Sequence, residues 1–115
     1  MSIQIFNGKP FARPERLTAK EKATKRIVVG DDEKIARIPV VESLRSDGYE
    51  IIHEAETLEQ LDRIVEKSEP DLVLLDLDWG KGPHQGLEAM KSFEERRIPT
   101  NYIIVSGQSD EDVLL

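Results

Sequence analysis

Four apolar residues in succession, Leu72-Val73-Leu74-Leu75, run into Asp76-Leu77-Asp78-Trp79 and are closed by Gly80. A run this short, rich in β-formers and bounded by a turn residue, reads as a strand buried on both faces of a sheet. Such strands belong to parallel sheets covered by helices, so this stretch directs the chain towards an α/β fold. Asp76 and Asp78 stand at the strand's carboxyl end, where ligands and chemistry collect in an open parallel sheet. Desolvating a carboxylate costs several kcal/mol, so acids at that mouth are paired, metal-bound or exposed in a cleft. The plainer reading is that both begin a solvated loop.

The remaining chain repeats the pattern. Residues 26–30 read as a buried strand ending in Asp31-Asp32-Glu33, an acidic cluster that repels itself unless a cation or solvent compensates it. In the plainer view Asp32 caps the next helix. That helix is expected over 34–46, with Ile35, Ile38, Val41 and Leu44 inward and either a kink or a restart at Pro39. A second strand over 49–55 precedes Thr57-Leu58-Glu59-Gln60, a capping box opening a helix with Leu58, Leu61, Ile64 and Val65 on its inner side. Ser68-Glu69-Pro70 ends that helix and leads into the apolar run. A third helix is expected over 86–97, with Leu87, Met90 and Phe93 inward, then a fourth strand over 102–105 with Ser106 and Gly107 at its end. Ser109 to Asp112 is another capping-box pattern. Strand and helix alternation with short connections implies a doubly wound parallel sheet built by right-handed crossovers.

Composition narrows the function. At 115 residues the chain is expected to be one domain. Its formal charge of −7 argues against direct nucleic-acid binding, because phosphate backbones require a basic face. Without cysteine there is neither a disulfide framework nor a thiolate metal site, and the cytoplasm is the natural compartment. No apolar run reaches the roughly 18 residues of a membrane span. Residues 1–25 differ from the rest: Lys9, Arg13, Arg16, Lys20, Lys22 and Lys25 outnumber Glu15 and Glu21, and the segment reads as a basic, arm-like extension before a domain over 26–115. Ile3, Ile5 and Phe11 offer it a way to pack on the domain or on a second subunit.

A parallel sheet brings the carboxyl ends of its strands to one edge, so Asp31, Asp32, Asp76 and Ser106 are expected to converge. Three carboxylates form a hard, oxygen-rich site suited to Mg²⁺ holding a phosphoryl group, with the Ser106 hydroxyl as a partner and Gly107 leaving room for entry. His53 and His84 read as an ordinary strand residue and a loop residue rather than ligands.

Three motifs, IVVGDDE at 27–33, PDLVLLDLD at 70–78 and IIVSG at 103–107, together resemble the receiver domain of two-component response regulators. The resemblance implies a flavodoxin-like sheet of strand order 2-1-3-4, with the family's last strand and flanking helices missing. It implies that Asp76 accepts a phosphoryl group from a sensor histidine kinase or phosphotransfer protein. Asp31 and Asp32 hold Mg²⁺ in that picture, Asp78 contributes its backbone carbonyl, and Ser106 switches toward the phosphoryl group. The chain then acts in signalling rather than as a turnover enzyme.

Departures from the family accompany these implications. Trp79-Gly80 stands where Met-Pro is frequent, Pro39 lies in the helix that normally contributes to kinase contact, and the phosphoryl-binding Lys has no counterpart in this chain. A fragment of a longer regulator is therefore expected, with an uncovered strand edge that invites pairing between two copies. Two alternatives stay open. A degenerate receiver would act unphosphorylated as an interaction module. Asp76-Leu77-Asp78 also resembles the signature of haloacid dehalogenase-type phosphatases, in which Asp78 would be the general acid and base.

Overall fold

The computed structural model describes residues 2–6, 18–82 and 84–106. The four expected strands are Arg26–Gly30 (β2), Glu50–Ala55 (β3), Leu72–Asp76 (β4) and Asn101–Ser106 (β5). They lie parallel, with β2 between β3 and β4 and with β5 beyond β4, which is the expected 2-1-3-4 order. β2 and β4 occupy the middle because their residues are apolar on both faces: Ile27 to Val29 and Leu72 to Leu75 are all buried.

A fifth strand comes from the other end of the chain. Ser2–Phe6 (β1) runs antiparallel to β5, from Ser2 opposite Ser106 to Phe6 opposite Tyr102. The edge expected to lie bare is therefore paired by the chain itself. The pentapeptide SIQIF alternates polar residues with β-forming ones, and a tethered strand meets that edge at far higher effective concentration than a second molecule does. The basic section is also partly structured. Ala19–Thr24 (α1) is capped by Thr18, whose hydroxyl accepts from the Glu21 N–H while the Glu21 carboxylate accepts from the Thr18 N–H. Lys22 pairs with Asp47 at 3.0 Å and lies over the Tyr49 ring, tying α1 to the turn that enters β3. The Thr-x-x-Glu signature of this cap is present in the sequence.

Helix α2, Lys34–Ser46, is continuous through Pro39, whose ring gives up one backbone bond near the exposed start of the helix. Val41 and Leu44 face inward as expected, but the first half of the expected face does not. Ile35 is 88% exposed and Ile38 is 41% exposed, whereas Arg37 is 4% exposed and Val41 is buried. The helix is turned because Arg37 finds acidic and carbonyl partners beneath it, which an isoleucine cannot use. Helix α3, Leu58–Ser68, buries Leu61 and Val65 as expected. The Thr57 hydroxyl caps it by accepting from the Gln60 N–H, and the Gln60 side chain turns back to the Glu56 N–H. Helix α4, His84–Glu95, buries Met90 and Phe93 and half-buries Leu87.

The side chains divide by strand alternation into two layers. Val28, Val73, Leu75, Tyr102 and Ile104 face α3 and α4, where Leu61, Val65, Met90 and Phe93 complete the larger core. Each such side chain removed from water contributes about 1.5–3 kcal/mol. Ile27, Val29, Leu72 and Leu74 face α2 in a smaller cluster, with Ile103 and Val105 only half-buried at its margin.

Candidate functional site

The strand registers place the site. Leu75 lies opposite Gly30 on one side and Ile104 on the other, so the next residue of each strand, Asp31, Asp76 and Val105, stands at one level at the carboxyl ends. A carboxylate oxygen from each of Asp31, Asp32 and Asp76 then falls within 4.8 Å of the others. The sequence-predicted acids converge. Ser106 is the last residue of β5, one position beyond this level, and Gly107 lies outside the described residues. Its capping-box neighbours from Ser109 to Asp112 also lie outside them. His53 and His84 are exposed, and neither belongs to the acidic group.

Three carboxylates so close repel strongly. At an effective dielectric of about 20, two unit charges at this separation cost about 3 kcal/mol. Burial pushes Asp76 up from the ordinary carboxylate value to about 7, and the charges of Asp31 and Asp32 add to that rise. Backbone N–H groups of Leu77 and Asp78 donate to its carboxylate and offset part of it. Burial likewise raises Asp31, against the Glu33 N–H donating to Asp31 Oδ1 at 2.9 Å. The same bond shows that Asp31, rather than Asp32, receives the backbone entering α2; the helix starts after Glu33 without a side-chain cap. The cup is thus a set of hard oxygen donors whose charge the surrounding protein leaves incompletely balanced, a donor set that fits Mg²⁺.

The loop after β4 is held by contacts that keep Asp76 in place. Trp79 Nε1–H donates to the Asp76 carbonyl at 2.7 Å. Its ring lies against Gly30, where a Cβ would come within 3.2 Å of both Trp79 and Leu61. Gly86, in the first turn of α4, donates to the Leu77 carbonyl at 2.8 Å. A Cβ on Gly86 would meet the Asp76 carbonyl oxygen at 2.5 Å and Leu77 Cα at 2.6 Å, so only glycine lets the helix approach so closely. Asp78 is spent differently from Asp76. Its Oδ1 accepts from the Gly80 N–H at 2.8 Å and the Gly82 N–H at 3.1 Å, folding the loop. The Asp78 carboxylate lies outside the acidic cluster.

Sequence reasoning missed Arg37. Its Nη1–H donates to the Asp31 carbonyl at 2.6 Å, Nε–H to Glu54 at 2.9 Å and Nη2–H to Glu56 at 3.0 Å. The guanidinium is the cation that partly offsets the rise at Asp31. A basic residue on a face expected to be apolar was the only available signal.

The family model described as the response regulator receiver domain matches residues 27–115. The transcriptional regulatory protein PdtaR of Mycobacterium tuberculosis is 28% identical over 90 residues, covering 78% of this chain and 42% of that protein. The uncharacterized transcriptional regulatory protein YhcZ of Bacillus subtilis is 32% identical over 92 residues, covering 76% of this chain and 40% of that protein. This chain therefore spans about two fifths of the length of these relatives. Among solved structures, the receiver domain of a LuxO repressor protein from Vibrio parahaemolyticus superposes with a TM-score of 0.64 at 25% identity, covering 76% of this chain and 65% of that one.

Proposed function

Because the chain belongs to the response regulator receiver domain family, we propose that it receives a phosphoryl group on Asp76 from a histidine kinase or a phosphotransfer protein. The observation that carries this reading is the convergence of the Asp31, Asp32 and Asp76 carboxylates at the ends of β2 and β4. In the transfer, one Asp76 carboxylate oxygen bonds to phosphorus as the P–N bond of a phosphohistidine breaks. The electron pair leaves on the imidazole, and an acyl phosphate remains on Asp76.

Asp31, Asp32, the Asp76 carboxylate and the Asp78 backbone carbonyl are the proposed holders of Mg²⁺. Bound there, the ion neutralises charge on the phosphoryl oxygens and on the three acids. Asp76 must be ionised to attack, and its elevated proton affinity leaves only part of it ionised at neutral pH, a share that a bound cation would raise. Trp79 and Gly86 keep the attacking residue aligned from behind, one by bonding its carbonyl and the other by letting α4 close on the strand end. Ser106, with Gly107 beside it, is the proposed sensor that turns its hydroxyl to a phosphoryl oxygen.

The phosphatase alternative needs a free Asp78 carboxyl, and the two loop N–H groups that occupy Asp78 Oδ1 favour the receiver reading over it. That two relatives are transcriptional regulatory proteins favours transcriptional regulation as the output to which such a switch is coupled.

Acetyl phosphate with Mg²⁺, followed by intact mass, tests the proposal. One added phosphate is expected, located on Asp76 by peptide mapping after reduction with borohydride. A folded chain that gains none overturns it in favour of an unphosphorylated interaction module.

A further inference from the structure

Arg37 is buried, yet it belongs to none of the groups that bind or receive in the proposed chemistry. We propose that it is a positioning residue for the cation cup, locking the β2–α2 turn so that Asp31 and Asp32 face Asp76. This inference rests on the Mg²⁺ reading given above.

A charged side chain at 4% exposure persists only when every part of it is satisfied, and removing partners from such a charge is strongly destabilising. The three partners come from separate places: Glu54 in β3, Glu56 just beyond β3, and the carbonyl of Asp31 just beyond β2. Glu54 and Glu56 hold the guanidinium from one side, and the planar fork passes that constraint to the Asp31 backbone. Asp31 is anchored at its other end as well, since its N–H donates to the Ala55 carbonyl at 3.0 Å. Both backbone groups of Asp31 are thus tied to the β3 end, and its Oδ1 accepts from Glu33. The turn carrying two of the three acids has little freedom left.

The alternative role for Arg37 is purely electrostatic, and the two roles predict opposite signs. A positive charge near a cation site weakens cation binding, so its removal tightens binding if charge is what matters. If Arg37 holds the ligands in place, its loss weakens binding, as loss of groups that orient metal ligands does, by about tenfold or more. Arg37→Lys separates the two further, because it keeps the charge and loses the fork.

The experiment titrates Mg²⁺ into the wild-type chain, Arg37→Met and Arg37→Lys, following the single tryptophan, Trp79, by fluorescence. Circular dichroism checks the fold, and amide hydrogen exchange of residues 31–33 is followed without metal. The expected result is about tenfold weaker Mg²⁺ binding in both variants. Exchange at these amides should also be faster in the metal-free variants, a readout independent of the ion. Arg37→Lys carries the test if Arg37→Met does not fold. Folded variants that bind Mg²⁺ as well as or better than the wild type, with unchanged exchange, overturn the positioning role and leave the receiver reading standing. A wild-type chain that does not respond to Mg²⁺ overturns the cation reading and this inference together.

Discussion

Asp71 and Asp76 flank one strand and meet opposite treatment. Asp71, just before β4, has its Oδ2 bonded by the Arg26 N–H at 2.9 Å, its N–H donating to the Arg26 carbonyl at 2.9 Å, and its carbonyl accepting from Asn101. Arg26 in turn donates through Nη1 to the Ser68 carbonyl at 2.7 Å. At this end of the sheet, a carboxylate and backbone groups are hydrogen-bonded across three strands. At the other end Asp76 is half-buried beside two more carboxylates, and burial first, then those charges, raise its proton affinity. The same strand therefore carries an aspartate used for stability and one kept poised, the difference being whether the carboxylate is bonded by a neighbouring strand's N–H or half-buried beside like charges.

The largest expected effect tests the poised end directly. Asp76→Asn should abolish phosphate uptake in the intact-mass assay and, by removing one of three like charges, raise the metal-free melting temperature at pH 8. A lower melting temperature would mean that the acids are already compensated, which would erase the contrast. Next comes the tight approach behind Asp76. Gly86→Ala forces a Cβ against the Asp76 carbonyl and should cost about 2–3 kcal/mol in urea unfolding.

The pH dependence sharpens the comparison further. Asp76 rises on folding from 3.8 to about 7, so the folded state favours its protonated form. That contribution is complete below about pH 4 and is lost as pH climbs through about 7. Metal-free stability should fall by about 1–2 kcal/mol over that window, after discounting the full shift for partial exposure, and Mg²⁺ at pH 8 should restore it. A flat metal-free profile breaks the account. At the paired end, Asp71→Ala should cost about 1–2 kcal/mol and leave the Mg²⁺ midpoint unchanged within about twofold. The smallest effect is expected at Asp78→Asn, which keeps an acceptor for the loop N–H groups: under about 1 kcal/mol, with phosphate uptake retained.

Much of this molecule was legible because its strands announce themselves locally. Leu72 to Leu75 and Ile27 to Val29 are short, apolar without interruption and closed by glycine or an acid, which a strand covered on both faces explains, and their order then sets the acids at one sheet end. The helix over 34–46 shows where local reading stops. Its period and its end agree, and Val41 and Leu44 turn inward as expected, but Ile35 and Ile38 lie exposed while Arg37 takes an inward place. Hydrophobic periodicity assumes that apolar side chains win the interior. Here Glu54, Glu56 and the Asp31 carbonyl, remote along the chain, make the arginine the better occupant.

By itself the sequence determined the alternation of strands and helices, the family, and which acids end each strand, because those properties follow from short-range pattern and from right-handed crossovers. Only the tertiary structure decided that Ser2–Phe6 closes the edge beside β5, that α2 turns an arginine inward, and that Trp79 and Gly86 brace the strand end. Each of these depends on a partner supplied by another segment, and a backbone edge or a buried charge gains its favourable contacts only once those segments are assembled.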